Sequence, residues 1–194
     1  MAGDEDVLTA TGTILDFSAS TADRAFFVSD PVVTEGDNGG RQAVFEIQLS
    51  QGAATDLTFD FETQDGTAVA GQDFVAQSGQ VTFLAGQTLA AVTIDLVGDS
   101  SAEVTEAFSL VVTPDLAAAS AVANAASDGA GIATILDNDG GPLPVINVVN
   151  ARASEGDFLT FEVRLSEPSL GLVSVEFGFE FGDGTAQALS LIHI

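Results

Sequence analysis

The sequence contains no cysteine, no lysine, no tryptophan and no tyrosine, and only one histidine and one methionine. Without cysteine, neither disulfides nor thiolate metal sites can form. Four arginines stand against 29 acidic residues, for a formal charge of −25. Nucleic acid and anionic membrane surfaces need a positive face, so neither is expected as a partner. No apolar run approaches the roughly 20 residues that span a bilayer, and membrane insertion is not expected. Met1 is followed by Ala-Gly-Asp-Glu-Asp, which has neither the basic nor the apolar region of a signal peptide. Acids are abundant enough for a paired-carboxylate glycosidase, but there is no indole or phenol ring to stack a sugar. Nor is there a nucleophile elbow or a histidine placed to activate a nucleophile. An enzyme is not expected.

What is present is a chain of 194 residues, 46% of them hydrophobic and strongly alternating. That pattern buries a core, and it separates this chain from disordered acidic tails. The sequence also repeats itself. Glu35-Gly36-Asp37 recurs as Glu155-Gly156-Asp157, Phe45 to Ser50 recurs as Phe161 to Ser166, and Asp65-Gly66-Thr67-Ala68 recurs as Asp183-Gly184-Thr185-Ala186. These offsets are 120, 116 and 118 residues, so order is kept with small loop changes. Thr13-Ile14-Leu15-Asp16 likewise echoes Thr134-Ile135-Leu136-Asp137. The division expected is residues 1–24 as the tail of a preceding repeat, 25–140 as a complete domain, and 141–188 as the first half of a following repeat. Residues 189–194, Leu-Ser-Leu-Ile-His-Ile, resemble the translation of a sequencing adapter. They are set aside as an artefact, together with His193.

Within the complete repeat the hydrophobic period is two, the period of strands. Strands are predicted at Phe26–Thr34, Ala43–Ser50, Asp56–Thr63, Gly79–Leu84, Leu89–Val97, Ala107–Thr113 and Gly131–Leu136. Short, evenly spaced strands with Gly, Asp and Ser turns predict an all-β fold, an immunoglobulin-like seven-stranded antiparallel β-sandwich in tandem repeats. Ala117–Ala126 has no apolar stripe and reads as a loop. If strands alternate in direction, one end of the sandwich collects Glu35, Asp37, Asp65, Asp73, Asp99, Glu103, Asp137 and Asp139. The other holds Asp56, Asp115 and Asp128. Carboxylates crowded in this way repel unless a cation sits among them. Hard oxygen donors on several flexible turns suit calcium better than magnesium, and zinc would want imidazole or thiolate. An EF-hand reading of Asp137-Asn138-Asp139-Gly140 fails, because its twelfth position is Val148 rather than a bidentate glutamate.

Five motifs then occur in order: Val33-Thr34-Glu35-Gly36; Thr63-Gln64-Asp65-Gly66-Thr67-Ala68; Ala70-Gly71-Gln72-Asp73-Phe74; Asp99, Glu103, Glu106 and Phe108; and Ile135-Leu136-Asp137-Asn138-Asp139. Together they resemble the Calx-beta repeat of sodium/calcium exchangers, an integrin beta subunit and large bacterial surface proteins. The resemblance implies calcium at one tip, with Glu35, Asp73, Asp99, Glu103, Asp137 and Asp139 as ligands. This chain departs from the pattern at Gly98, where a further acid is usual, and at Asn138, which stands for a carboxylate. Asp65-Gly66 also reads as a plain turn, Asp37-Asn38-Gly39-Gly40 as a hairpin loop, and Glu106 as either a ligand or a solvated strand-edge charge. The expected function is a calcium-binding structural or adhesive module of a larger secreted or cell-surface protein. Its partners would be neighbouring repeats and an extracellular protein or glycan. The alternatives are a calcium-responsive regulatory domain and an accessory domain of a secreted enzyme.

Overall fold

The computed structural model describes residues 12–15, 24–124, 127–139, 145–154, 158–166 and Val175. The junction at 141–144, the second Glu-Gly-Asp motif, the Asp183 motif and residues 189–194 lie outside the described residues. In chain order the strands are β1 (Gly12–Leu15), β2 (Phe26–Val28), β3 (Val32–Thr34), β4 (Gln42–Leu49), β5 (Leu57–Gln64), β6 (Ser78–Phe83) and β7 (Leu89–Asp95). They continue as β8 (Glu106–Pro114), the single helical turn α1 (Leu116–Ala119), β9 (Ala130–Leu136), β10 (Ile146–Val148), β11 (Ala151–Ser154) and β12 (Val163–Leu165).

Residues 26–136 form an all-β sandwich of two sheets, ordered β2-β4-β7 and β3-β9-β8-β5-β6. Alternation places one face of each strand between the sheets, as expected. Phe45, Ile47 and Leu49 on β4 are buried, and so are Val92 and Ile94 on β7 and Phe108, Leu110 and Val112 on β8. Five phenylalanines, Phe45, Phe59, Phe74, Phe83 and Phe108, are among the largest side chains wholly removed from solvent. Each such burial contributes about 2–3 kcal/mol. The rings of Phe74 and Phe108 stack with centroids 4.1 Å apart. That stack fixes two loops at one end of the sandwich, because Phe74 follows Asp73 and Phe108 lies two residues after Glu106.

The structure differs from the expected strands in two places. The predicted strand over Phe26–Thr34 is two strands, each in a different sheet. Pro31 has no N–H to give a ladder and holds Asp30 away from helical geometry, so the chain steps across the sandwich there. The Asp30 carboxylate takes over as acceptor from the Ile132 N–H at 2.8 Å. The second half, β3, then runs parallel to β9, so the second sheet is antiparallel except at that edge. The stretch read as a loop after Asp115 begins with α1. Its cap is Asp115, whose Oδ1 accepts the N–H groups of Ala117 at 2.8 Å and Ala118 at 2.7 Å.

Candidate metal centre

The end of β9, the end of β3 and the start of β8 lie side by side, because β9 pairs with both neighbours. This position sets the acidic pole. As β9 ends, Asp137 Oδ1 accepts the Asp139 N–H at 2.8 Å, closing an Asx turn that holds both carboxylates on one side. Its Oδ2 accepts the Glu103 N–H at 3.1 Å and so draws in the β7–β8 loop. Asn138 ties β9 to the turn after β3. Its Oδ1 accepts the Gly36 N–H and its Nδ2 donates to Asp37 Oδ1, each at 2.7 Å. Asn138 therefore acts as a strut between loops, a role that needs a donor and an acceptor and that a carboxylate could not fill.

Gly36 takes φ +78°, in the left-handed region, which lets the chain turn immediately after Glu35. Gly98 faces the same turn. A Cβ placed on it would lie 1.8 Å from the Gly36 carbonyl oxygen, so no acidic side chain fits there.

Two trios of carboxylates result. Glu35, Asp137 and Asp139 each bring an oxygen within 4.8 Å of the others, and Asp73, Glu103 and Glu106 do the same. Asp73 is held by the Val69 N–H, which donates to its Oδ2 at 2.6 Å, and by its own carbonyl, which accepts the Val97 N–H at 3.0 Å. Among the described residues, Glu35 Oε1 and Asp139 Oδ2 are buried side-chain oxygens with no hydrogen-bond partner. A buried anion without a donor is costly.

The carboxyl groups respond by holding protons. Glu35, only 4% exposed, is raised from 4.5 to about 7. Burial is the largest cause, followed by a hydrogen bond to Asp137 and the charges of Glu103, Asp137 and Asp139. Glu103, Glu106 and Asp139 are also raised, each first by desolvation and then by neighbouring acids. The charge of Asp73 adds to the rise at both Glu103 and Glu106, and that of Asp99 at both Glu103 and Asp139.

Five of the six residues expected from sequence thus fall into the trios: Glu35, Asp137 and Asp139 in one, Asp73 and Glu103 in the other. Asp99 falls in neither. Its Oδ1 closes its own turn by accepting the Ser101 N–H at 2.6 Å, while its charge still acts on the site. Asp65 is a turn residue, accepting the Ala70 N–H at 3.0 Å. Glu106 takes the place in the second trio, and its strand parity signals this: it shares the inward register of Phe108, Leu110 and Val112. A carboxylate on that parity faces the sandwich end, not bulk water. Every donor at the pole is an oxygen, and two buried ones lack partners. That set suits a hard divalent cation bound through carboxylates.

The Calx-beta domain family matches residues 13–139. Among solved structures, the apo form of the Calx CBD1 domain is similar at 25% identity, covering 60% of this chain and 99% of that one, with a TM-score of 0.52. The calcium binding domain CBD12 of CALX1.1 and CBD12 from CALX1.2 are similar at 21% and 22% identity, with TM-scores of 0.52 and 0.51. Each takes in 64% of this chain, which spans only 55% and 56% of their respective lengths. No curated protein matches the sequence.

Proposed function

The chain belongs to the Calx-beta domain family, and from that membership we propose that its acidic pole binds calcium and that the ion locks the sandwich as a structural module. The observation that carries this reading is the pair of buried, unpartnered oxygens on Glu35 and Asp139 inside a trio of acids. Glu35, Asp137 and Asp139 would hold one ion, and Asp73, Glu103 and Glu106 a second, with Asp99 contributing charge from beside them. The cation offsets repulsion among loops that follow β3, β7 and β9 and join β5 to β6. It therefore binds the folded state alone and adds stability by mass action.

Few ligand carboxylates per ion fit the weak range typical of extracellular modules. The wider role is structural or adhesive, within a larger secreted or cell-surface protein that presents the module to neighbouring repeats and to an extracellular protein or glycan. Asp139 ends the described part of the sandwich and leads toward the following segment, so an ion there would also stiffen the junction. The test is thermal melting in chelator and in calcium. At a calcium concentration a thousandfold above Kd, a single site adds about 4 kcal/mol, and the expected rise in Tm is at least about 10 °C. Magnesium at the same concentration should give a smaller rise. No rise with calcium sinks the proposal.

A further inference from the structure

The turn between β3 and β4 is anchored on both sides of a short stretch that is itself held by nothing. On one side Asn138 fixes Gly36 and Asp37, each at 2.7 Å. On the other, the Leu96 N–H donates to the Arg41 carbonyl at 2.9 Å, and the β4–β7 ladder begins at Gln42. Asn38, Gly39 and Gly40 lie between these anchors. Asn38 and Gly40 are exposed, and both glycines take positive φ, +71° and +82°. Among the described residues, the Asn38 side chain has no hydrogen-bond partner and the Gly39 N–H has no acceptor. A Cβ on Gly40 would meet nothing within 4 Å, and one on Gly39 only the Leu96 carbonyl at 3.8 Å.

Of the five asparagines in the chain, Asn38 is the one followed by glycine. Asn138 differs from it in having both ends of its amide engaged. The related pair Asp65-Gly66 is closed as well. Asp65 Oδ1 accepts the Ala70 N–H at 3.0 Å, and the Gly66 N–H donates to the Ala68 carbonyl at 3.1 Å. Only at Asn38-Gly39, then, are the side-chain carbonyl carbon and the following backbone nitrogen both free to meet.

We propose that Asn38-Gly39 is a self-modification site, where the chain converts its own amide into a carboxylate beside the acidic pole. The Gly39 nitrogen gives its proton to hydroxide and attacks Asn38 Cγ. A C–N bond forms, the bond from Cγ to the side-chain nitrogen breaks, and ammonia leaves with a proton taken from water. Water then opens the five-membered imide at either carbonyl, leaving aspartate or isoaspartate. No oxidant, reductant or metal takes part. Glycine matters here because it has no side chain to shield the attacking nitrogen and crosses between positive and negative φ freely. A loop tip also absorbs the change without unfolding the sandwich.

Each event adds one negative charge next to Asp37, which Asn138 ties to the turn between Asp137 and Asp139. With age the pole thus gains an acid on the side where Asn138 supplies none, and calcium binds more tightly. That consequence rests on the calcium function proposed above; the modification itself does not.

Trypsin isolates the site, because Arg24 and Arg41 bracket Asn38 while the other four asparagines lie between Arg41 and Arg152. The full chain is aged at mildly alkaline pH, digested and weighed, and isoaspartate is labelled with its methyltransferase. Peptide 25–41 should gain about one mass unit and the label, with peptide 42–152 unchanged. Gly39→Ala should slow the gain about tenfold, and Asn38→Gln should abolish it. No gain in peptide 25–41, an equal gain in both peptides, or unchanged ageing of Gly39→Ala overturns the assignment. For the consequence, Asn38→Asp should lower the apparent Kd for calcium about two- to fivefold, the size of one exposed charge interaction. An unchanged Kd refutes the effect on the pole. A chain that binds no calcium with or without the substitution refutes the calcium function instead, and the mass gain still decides the modification.

Discussion

The two ends of the sandwich are both acidic, yet they treat their acids in opposite ways. At the end that holds the two trios, Glu35, Asp137 and Asp139 face one another, as do Asp73, Glu103 and Glu106, even though Asp73 and Asp137 also accept backbone N–H groups. At the far end each acid faces a donor. Asp56 accepts the Ala85 N–H at 2.8 Å, Asp115 caps α1, and Asp128 pairs with Arg152. The far end even buries a cation. Arg24, 4% exposed, donates to the carbonyls of Gln51 at 2.6 Å, Ala121 at 2.9 Å and Gly52 at 3.1 Å. The far end is therefore complete as folded, whereas the acidic end is balanced only when protons or a cation are supplied.

The sharpest way to break this comparison is to damage the self-sufficient end. Arg24→Met keeps the apolar stem but leaves three carbonyls from two separate loops without their donor. Hydrogen bonds from a charged group contribute about 1.5–3 kcal/mol each when buried, and water will recover part of the loss. The expected cost is about 3 kcal/mol, a drop in Tm of roughly 10 °C. It should be the same in chelator and in calcium, because Arg24 touches nothing at the acidic end. A loss that calcium repairs would show that the two ends are not independent.

The next prediction concerns protons. Glu35 in the folded chain holds its proton up to about pH 7, against an ordinary value of 4.5. A raised carboxyl favours folding while protonated, so its contribution is present below about pH 4.5 and is lost as pH rises through 7. In chelator, stability should fall across that window by at most about 3 kcal/mol, less once solvent screening among the exposed neighbours is counted. Glu35→Gln should flatten most of the decline. Calcium should reverse it, since the ion takes the deprotonated form and competes with the proton. Melting curves at pH 5 and pH 8 with chelator decide the matter, and equal stability at both would contradict the electrostatic account.

Much of this was legible in the sequence because it depends on local pattern. The period of two in Phe45-Glu46-Ile47-Gln48-Leu49 fixes which face of β4 is buried, whatever surrounds it. The alternation of strand direction then gathers the acids at one end. The features that escaped depend on contacts between loops. Whether Asp99 or Glu106 completes the second trio turns on the Asx turn that Asp99 makes with Ser101 and on how β8 enters the sheet. The missing acid at Gly98 is a matter of the Gly36 carbonyl lying against it. Asn138 looks in sequence like a lost ligand, and only the fold reveals a strut between Gly36 and Asp37. The split of the first strand was in plain view at Asp30-Pro31, and the hydrophobic run across it concealed the break.

The smallest effect is the most discriminating between the ends. Asp115, like Asp137, accepts two backbone N–H groups, here those of Ala117 and Ala118, but it belongs to neither trio of acids. Those bonds seat a single turn whose Ala118 is fully buried and whose following Val122 is 4% exposed. Asp115→Ala should cost about 1 kcal/mol, the usual value of a lost cap. Removing its charge should leave the calcium-induced rise in Tm unchanged. Asp137→Asn should do the reverse: in chelator the relief of repulsion is offset by losing one of its two accepted N–H bonds, so Tm changes little, while the calcium response is diminished. The double variant should be additive to within about 0.5 kcal/mol, since the two sites share no partner. Should Asp115→Ala weaken the calcium response as much as Asp137→Asn, net charge alone would explain the stabilisation, and the geometry of the trios would be irrelevant to it.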